Sequence, residues 1–228
     1  MIEVNSLFFD YDGMAILKGV DMQLHRGERL ILSGASGIGK STLIRLIAGL
    51  DLPSSGEIII DGLSMHGEGK IVLPHKRSLG IVFQEPSLWP HMSVEEHLKF
   101  VSKNSNKKER QKEIAHLLKV TQLDILAQRV PSELSAGQAE RLSIARTLAS
   151  QPHYLIMDEP FANLDPKTKS EMVEVILSES KRLNAGLLLI THDESEASLI
   201  GGQQLWMREG KLWQTKEIQS SSARSNSE

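Results

Sequence analysis

The chain has 228 residues and a formal net charge of −3; 40% of its residues are hydrophobic and 24% are charged. This length allows one sizeable α/β core, or a core with one inserted subdomain, and the composition is that of an ordinary globular protein. A net charge near zero gives no general attraction to nucleic acid, so no nucleic-acid partner is expected. The chain has no cysteine, which excludes disulfides and thiolate metal sites.

Membrane insertion is not expected from the sequence. No apolar run approaches the roughly 20 residues that a helix needs to cross a bilayer. The N-terminal stretch MIEVNSLFF also lacks the order of basic, apolar and small residues that marks a secretory signal. We therefore expect a soluble protein whose association with any membrane depends on a partner.

Short strands are predicted between residues 2 and 32. Asp12-Gly13 stands where a hairpin turn is expected, and Arg26-Gly27 closes a second turn.

The next predicted elements are a strand, a glycine-rich loop and a helix. The strand RLILSG (29–34) enters the loop, and STLIRLIAGL (41–50) follows with apolar residues at helical spacing. Two further strands are predicted, GEIIIDG (56–62) and SLGIVFQ (78–84).

The middle of the chain is predicted to be helical. SVEEHLKFV begins with a capping box from Ser93 to Glu96, and KKERQKEIAHLLKV (107–120) continues as a helix. Because no strand pattern occurs between residues 84 and 150, this part is interpreted as an inserted helical subdomain.

Two short apolar strands return later, HYLIMD (153–158) and GLLLITH (186–192), separated by a helix that begins at Asp165-Pro166. Near-continuous apolar strands that alternate with helices favour a parallel sheet covered on both faces, and hence an α/β fold.

The segment GASGIGKS (34–41) matches the pattern G-x-x-x-x-G-K-[ST] of a phosphate-binding loop. Glycines let the backbone N–H groups turn inward around a phosphate, Lys40 reaches the β and γ phosphates, and the Ser41 hydroxyl can ligate magnesium. The alternative is a glycine turn that only joins a strand to a helix. Since the required strand and helix flank the loop, the pattern predicts nucleotide binding. The predicted ATP-binding residues are Gly34, Ala35, Ser36, Gly37, Ile38, Gly39, Lys40, Ser41 and Thr42.

Two acidic residues, Asp158 and Glu159, follow the apolar strand YLIM. An acidic residue at the carboxyl end of a buried strand faces the crevice where open α/β sheets bind ligands, so Asp158 can hold magnesium. Glu159 can orient an attacking water or accept its proton. The alternative is an acidic pair that caps the next helix.

Gln84 and His192 also end predicted strands, IVFQ and LLLITH. Taken alone, each is explained as well by a polar residue that is simply satisfied within the fold. The carboxyl ends of parallel strands meet at one edge of a sheet, where the phosphates are expected. Both residues are therefore candidates for the site.

In chain order, the sequence contains Tyr11, GASGIGKST, Gln84, LSAGQ (134–138), YLIMDE, NLD (163–165) and His192. This series resembles the nucleotide-binding subunit of an ATP-binding cassette (ABC) transporter, over essentially the whole chain from Tyr11 to His192. The resemblance implies, respectively, the adenine-stacking aromatic, Walker A, the Q-loop, the signature, Walker B with its catalytic glutamate, the D-loop and the H-loop histidine. For Tyr11, a strand residue that packs on a neighbour is the alternative.

The resemblance also implies Mg²⁺-dependent hydrolysis of ATP. The catalytic residues would be Lys40, Gln84, Glu159 and His192, and the magnesium ligands would be Ser41, Gln84 and Asp158.

The expected fold is a P-loop NTPase core with a mainly parallel sheet and an antiparallel β subdomain near the N-terminus. The core is predicted at residues 1–84 and 151–217, and the inserted helical subdomain with the signature at residues 85–150. Residues 218–228 are polar and are predicted to form a disordered tail.

One residue departs from the family pattern, because the usual LSGGQ is LSAGQ here, with Ala136 in place of the first glycine. An added methyl can block close approach to phosphate or forbid a positive φ, but it costs little where the backbone is already helical. Because Gly137 is retained, the signature residues Ser135, Ala136, Gly137 and Gln138 are expected to function.

The chain contains two predicted phosphate-binding turns, and the resemblance implies that two subunits cooperate to use them. A helical arm cannot readily fold back over its own crevice, and the resemblance implies head-to-tail packing with the same chain or a close homologue. Ser135 and the N–H groups around Gly137 are expected to donate to the γ-phosphate of the partner's ATP, helped by the helix N-terminus. Asp165 is an expected dimer contact.

A membrane partner is expected near Gln84. The segment EPSLWPHMS (85–93) places Leu88, Trp89 and Met92 beside prolines, and exposed aromatic and Met residues are enriched at interfaces. We interpret residues 84–93 as the docking segment for a transmembrane permease subunit, which predicts a peripheral protein on the cytoplasmic face of the cell membrane. The alternative is that Trp89 is an ordinary core residue.

Other functions remain open at this stage. The stretch from residue 73 to 97 is similar to ATPases of binding-protein-dependent importers, which favours import, but ATPases of exporters and lipoprotein-releasing systems have similar lengths. A non-transport ABC ATPase is disfavoured by the lack of a heptad run, of cysteine and of a second cassette. A P-loop kinase would share Walker A but has no use for LSAGQ.

Overall fold

The structure is a computed structural model that describes residues 1–67 and 70–214. The chain divides into two compact units: the second is Gly80–Ala185, and the first is formed by the residues before and after it. The predicted boundaries of the helical insert, at residues 85 and 150, stay predictions. The predicted tail at 218–228 lies outside the described residues.

The first unit contains most of the described strands and two α-helices, one after the glycine loop and one after His192. In chain order its elements are β1 (Ile2–Tyr11), β2 (Met14–Leu24), β3 (Arg29–Ser33), α1 (Lys40–Ala48), β4 (Ser55–Ile60), β5 (Leu63–Ser64), β6 (His66–Gly67) and β7 (Lys70–Ile71). β8 (Leu79–Val82) begins at the boundary between the units. The C-terminal elements of the first unit are β10 (Gly186–Ile190), α6 (Glu194–Ile200), β11 (Gln203–Arg208) and β12 (Lys211–Gln214).

An antiparallel sheet with strand order β2-β1-β4-β5 forms the N-terminal part of the first unit. The predicted hairpin is confirmed: Tyr11 pairs with Met14, and Asp12 and Gly13 turn the chain with φ of 48° and 80°. Buried and exposed residues alternate along β2, as expected for a strand with one face on a core.

The strands that lead to the predicted site are parallel and buried. β3 lies between β10 and β11 and pairs in parallel with both, so that Leu32 is opposite Ile190 on one side and Leu205 on the other. All five residues of β10 are buried. This explains its unbroken apolar sequence, because helices and loops cover both faces of such a strand.

Helix α1 is fixed at its C-terminal end by the buried side chain of Arg77. Its Nη1 donates to the carbonyl oxygens of Leu46 and Ile47, at 3.1 and 2.8 Å, and its Nε donates to that of Val72 at 2.9 Å. Burial lowers the pKa of Arg77. A cation at the C-terminal carbonyls stabilises a helix, so Arg77 holds α1 in place behind the glycine-rich loop.

The second unit is mainly helical. Its further elements are α2 (Val94–Val101), α3 (Lys107–Val120), α4 (Ala136–Ala149), β9 (Tyr154–Asp158) and α5 (Pro166–Leu183). Helix α4 packs against α2 and α3, and β9 lies beside β8 in a sheet. The predicted capping box of Ser93 and Glu96 is confirmed at the start of α2, and no strand lies between residues 84 and 150.

The structure also contains elements that the sequence did not predict. Strands β5 to β7 are only two residues long, too short for a periodic pattern to be recognised. Helix α6 and the hairpin of β11 and β12 were not predicted either. Among the described residues, no helix combines the length and the apolar composition that a membrane span requires.

Candidate functional site

The glycine loop, residues 34–39, connects β3 to α1. Gly34, Gly37 and Gly39 have φ of 149°, 74° and 109°, a region that glycine enters without strain. A Cβ on Gly34 would lie 2.7 Å from the carbonyl oxygen of Met207, and one on Gly39 would lie 3.0 Å from Cγ2 of Ile16. Gly34 is therefore required by space as well as by backbone conformation, whereas at Gly39 the neighbouring side chains would have to move by a few tenths of an ångström.

Lys40 follows the loop and folds back over it. Its side chain is buried, and Nζ donates to the carbonyl oxygens of Gly34 and Ala35, at 2.8 and 2.9 Å. Gly39, the N-cap of α1, provides no side-chain cap for the first N–H groups of the helix. An ammonium group and uncapped helical N–H groups around one exposed loop form a site that fits a phosphate group.

His192 lies in the first unit, just beyond the end of β10, and is exposed. The buried Thr191 fixes this turn: its Oγ1 donates to Oε2 of Glu196 at 2.5 Å and accepts from the N–H of Asp193 at 3.0 Å. His192 and Gly34 line the same cavity of about 330 Å³. The expectation that the ends of parallel strands bring these residues to one edge is thus met within this unit.

Asp158 and Glu159 lie in the second unit at the end of β9. Asp158 is buried as the last residue of the strand, and Glu159 turns the chain with a φ of 47°, which is uncommon for a residue with a side chain. Gln84 lies just beyond β8, and its Nε2 donates to Oε2 of Glu159 at 3.5 Å, the outer limit of a hydrogen bond. The structure thus brings Gln84 and Glu159 together.

The signature turn, residues 134–138, begins α4. Ser135 is its N-cap, and a capping box joins it to Gln138: Oγ of Ser135 accepts from the N–H of Gln138 at 3.3 Å, and Oε1 of Gln138 accepts from the N–H of Ser135 at 2.9 Å. Because this Oγ is already an acceptor, its O–H can donate to an anion. The N–H groups of Ala136 and Gly137 are the other donors of the first turn.

The alanine of LSAGQ is compatible with this geometry. Ala136 is the first helical residue of α4 and is exposed, so the condition under which alanine costs little is met. Gly137 differs, because a Cβ there would lie 3.0 Å from the carbonyl oxygen of Asn163 and 3.2 Å from Cδ2 of Leu164. Close packing therefore favours glycine at the second glycine position of the signature.

Asp165, the predicted dimer contact, is exposed and caps α5. Its Oδ1 accepts from the N–H groups of Lys167 and Thr168, and its Oδ2 accepts from Oγ1 of Thr168 at 2.6 Å. The hydrogen bonds from Thr168 lower the pKa of Asp165. The carboxylate is thus kept ionised at the start of the helix, where negative charge is favourable.

Sequence reasoning gave no role to Glu140, which is buried in α4 and bonded to Asn163. A signal was present. Glu140 shares a helical spacing with Ser143, Ile144 and Thr147, all of them buried, and a carboxylate on such a face must have partners inside the protein.

In the segment 84–93, Trp89 is half-buried among side chains of α2 and α4. Its ring centroid lies 5.0 Å from that of Phe100, edge-on, and 5.1 Å from the guanidinium carbon of Arg146. Arg146 also donates to the carbonyl oxygen of Ser87, and burial lowers its pKa. Phe100 is 65% exposed, so this aromatic group reaches the surface.

His97 fixes the backbone of this segment. Its ring is fully buried, Nδ1 lies 2.8 Å from the carbonyl oxygen of Ser93, and Nε2 accepts from the N–H of Trp89 at 2.9 Å. A carbonyl oxygen can only accept and a backbone N–H can only donate, so the ring is neutral, with its proton on Nδ1. Its pKa is lowered, chiefly by burial.

Tyr11 lies at the end of β1, opposite Met14, and the two side chains are 67% and 68% exposed. An aromatic ring so exposed is available to stack on a ligand. Its role as an adenine-stacking residue stays a prediction.

Comparison with known proteins identifies a family and similar chains. A model described as ABC transporter matches residues 17–162. The chain is 38% identical over 219 residues to the sulfate/thiosulfate import ATP-binding protein CysA of Bradyrhizobium diazoefficiens, covering 93% of this chain and 62% of the relative. It is 35% identical over 219 residues to the putrescine transport ATP-binding protein PotG of Escherichia coli, covering 95% and 57%. The chain thus spans less than two thirds of the length of these curated relatives.

Solved structures of ATP-binding subunits are also similar to this chain. The dimeric post-hydrolysis state of the ATP-binding cassette MJ0796, bound to ADP and Pi, aligns with a TM-score of 0.82 at 27% identity and covers 94% of this chain and 98% of its own. A structure of cbiO1 from Clostridium perfringens aligns with a TM-score of 0.81 at 33% identity, covering 97% and 91%. The predicted α/β P-loop fold is confirmed.

Proposed function

The chain belongs to the ABC transporter family, and we propose from this premise that it is the ATP-hydrolysing subunit of an importer with separate transmembrane subunits. The observation that carries the proposal is the presence of two helix starts suited to anions, the glycine loop before α1 and the signature turn before α4, one in each compact unit. A single nucleotide site needs only one of them.

ATP would bind through the glycine loop. The N–H groups of the loop and of the first turn of α1 would surround the phosphates, and Lys40 would exchange its two carbonyl contacts for the β and γ phosphate oxygens. Ser36, Ile38 and Thr42 would contribute backbone or hydroxyl contacts to the same phosphates. Tyr11 would stack on the adenine.

The predicted magnesium ligands are the hydroxyl of Ser41, the amide oxygen of Gln84 and the carboxylate of Asp158, all of them the hard oxygen donors that Mg²⁺ prefers. Gln84 donates to Glu159 through Nε2, which leaves its Oε1 for a cation. When bound, the ion would neutralise negative charge on the transferred phosphoryl group.

Hydrolysis would use Glu159 and His192. A water attacks the γ-phosphorus, Glu159 takes up its proton, and the bond from the γ-phosphorus to the bridging oxygen breaks, giving ADP and phosphate. Lys40 and His192 would stabilise charge on the phosphoryl oxygens. The contact with Gln84 supports a role for that residue in holding Glu159 ready.

A second subunit would complete each site. Ser135 and the N–H groups of Ala136 and Gly137 would donate to the γ-phosphate held by the partner, with Gln138 supporting the turn, and Asp165 would lie at the contact. Changing the ratio of closed to open dimer from 1:99 to 99:1 takes about 5.5 kcal/mol. Two γ-phosphates, each with several charge-assisted hydrogen bonds, can supply this free energy. The similar cassette MJ0796 is dimeric in its solved structure, which supports association of two subunits.

The permease would dock on the segment 84–93, at the aromatic group of Trp89 and Phe100. Both curated relatives are named as transport ATP-binding proteins, one of them for import, which supports this direction. The protein would then lie on the cytoplasmic face of a membrane, held there by the permease.

Two substitutions test the nucleotide site. Lys40→Ala is expected to lower ATP affinity more than tenfold, because it removes a charge-assisted contact to the phosphates. Glu159→Gln is expected to retain ATP binding, to lose turnover, and to accumulate as a dimer in ATP and magnesium. Nucleotide binding is measured by equilibrium titration and dimerisation by sedimentation. A Glu159→Gln protein that remains monomeric in ATP contradicts the proposal.

Purification of the protein from detergent-solubilised membranes tests the transport assignment. Transmembrane subunits are expected to co-purify, and Trp89→Ala is expected to release them while ATP binding is retained. Recovery of the protein with soluble partners only would argue against transport.

A further inference from the structure

The buried carboxylate of Glu140 joins the signature helix to the loop that leads to Asp165. Glu140 lies in the first turns of α4 and is 3% exposed. Its Oε1 accepts from the side-chain Nδ2 of Asn163 at 2.6 Å and from the backbone N–H of Asn163 at 3.0 Å, and its Oε2 accepts from the same N–H at 3.1 Å. Three hydrogen bonds join this one side chain to Asn163, one of them at 2.6 Å, so the attachment is firm.

The backbone of Asn163 also lies close to the signature turn. The carbonyl oxygen of Asn163 lies so close to Gly137 that a Cβ there would approach it to 3.0 Å. The donors of Asn163 are thus held by Glu140, and its acceptor rests against the first turn of the same helix.

The far end of this loop is fixed as well. Asp165, two residues after Asn163, caps α5 through both of its carboxylate oxygens. Loop 161–165 is therefore anchored to α4 at its middle and to α5 at its end.

We propose that Glu140 is a positioning residue that locks loop 161–165 to the signature turn, so that both segments meet a second subunit as one rigid surface. This inference rests on the proposed function, in which Ser135 and Asp165 both face the partner. Ordering the two segments before association removes an entropic cost that dimerisation would otherwise carry. Without Glu140, the position of loop 161–165 relative to the signature turn would have to be fixed when the dimer forms.

The lock is tested directly at the amide that Glu140 holds. In the full-length protein without nucleotide, Glu140→Ala is expected to speed hydrogen exchange of the Asn163 N–H by about tenfold or more, because this N–H loses its hydrogen-bond acceptor. Glu140→Gln keeps an oxygen for both donors, and its exchange rate is expected to stay within about threefold of the original. Exchange is measured by mass spectrometry with fragmentation to single residues.

A matched control distinguishes loss of the Glu140–Asn163 contact from a general loss of stability. Leu148→Val shortens another buried side chain of α4, two turns further along. It is expected to lower the melting temperature without a selective effect at Asn163. If Glu140→Ala fails to fold, Asn163→Ala removes the 2.6 Å side-chain bond and leaves the backbone N–H bonded to Glu140, so a smaller rise in exchange at residue 163 is expected.

The effect on the partner surface is measured with Glu159→Gln, which is expected to form a stable dimer in ATP. Adding Glu140→Ala is expected to weaken that dimer at least tenfold while ATP affinity of the monomer stays unchanged, and Glu140→Gln is expected to restore it. A purely structural role would lower both properties together.

Three results would each overturn one part of the proposal. Unchanged exchange at Asn163 in Glu140→Ala overturns the lock. Faster exchange with an unchanged dimer overturns the rigid partner surface. A Glu159→Gln protein that does not dimerise overturns the proposed function itself, whereas the exchange rates still decide whether Glu140 holds the loop.

Discussion

The glycine loop and the signature turn both place glycine at the start of a helix, but glycine has a different purpose in each. Gly34, Gly37 and Gly39 all have positive φ, so the glycine loop needs the freedom of a residue without a Cβ. Gly137 is helical, and what it supplies is space for the backbone at Asn163. The difference explains why one glycine of the signature can be replaced by Ala136 without distorting the turn.

The two helix starts also differ in how their N–H groups are satisfied. Gly39 gives α1 no side-chain cap, which leaves the start of that helix to a ligand. Ser135 and Gln138 cap α4 reciprocally, which fixes the turn before any ligand arrives. The start of α1 therefore has N–H groups that no side chain caps, whereas the signature turn is held by its own side chains.

Gly34→Ala is expected to cause the largest loss of stability and of ATP binding. Its Cβ would lie 2.7 Å from a backbone oxygen at a φ of 149°, so both a clash and backbone strain result. We expect roughly 3 kcal/mol or more of lost stability and loss of ATP binding, measured by denaturant unfolding and nucleotide titration.

Gly37→Ala is the matched control for Gly34→Ala. Gly37 has a φ of 74° but no atom within 4 Å of the added Cβ, so only backbone strain of about 1 kcal/mol is expected. Equal losses in the two variants would show that space does not matter at Gly34.

A smaller effect is expected for Gly137→Ala. The added methyl would touch Asn163 and Leu164, which must move by a few tenths of an ångström, at a cost of about 1–2 kcal/mol. We expect ATP-dependent dimerisation to weaken while nucleotide binding by the monomer is retained. The two measurements are sedimentation in the Glu159→Gln background and nucleotide titration.

The reverse change next to it, Ala136→Gly, restores the usual signature and is the control for Gly137→Ala. Because Ala136 is exposed and already helical, we expect a loss of stability below about 1 kcal/mol and little change in turnover. A large gain in turnover would mean that the methyl of Ala136 hinders the γ-phosphate.

The smallest expected effect is that of pH on the free energy of unfolding. It distinguishes the two units of the chain and not the two helix starts, because the histidine concerned lies in the second unit. His97 of the second unit has a lowered pKa, caused first by burial and also by the charge of Arg146 from α4 and by His91, and opposed by its bond to Ser93 and by Glu96. A histidine with a folded pKa below its unfolded value stabilises the fold fully above the unfolded pKa, and this contribution is lost as the pH falls through the folded pKa.

We therefore expect the free energy of unfolding to fall, and Trp89 fluorescence to change, as the pH is lowered below about 6.5, because protonation of Nε2 breaks the bond to the N–H of Trp89. Nucleotide binding by the glycine loop is expected to change less over this range. Trp89→Phe should remove the fluorescence change, and His97→Gln should flatten the pH dependence. An unchanged profile in His97→Gln would assign the effect to another group.

Much of the fold could be predicted because its elements have strong local signals. The apolar runs of β3, β9 and β10, the Asp12-Gly13 hairpin and the capping box at Ser93 each depend on neighbouring residues. The two-residue strands β5 to β7 carry too few residues for a pattern. Their formation depends on pairing with other strands.

In the candidate site too, some residues follow from a local sequence pattern and others depend on distant contacts. The glycine loop and Lys40 follow from a fixed spacing, because all the groups that cradle a phosphate come from one short segment. Glu140 has no such motif. Its importance comes from a contact with Asn163, 23 residues further along the chain.

The sequence by itself determined where the two glycine-containing turns, the acidic pair and the buried strands lie, because each is encoded by residues next to one another. Only the tertiary structure decided which glycines are required and which polar groups are coupled. Whether a Cβ fits at Gly34 or Gly137 depends on Met207 and Asn163, and the charge state of His97 depends on two backbone groups and its burial. These are properties of packed neighbours that are distant in sequence, and no local pattern records them.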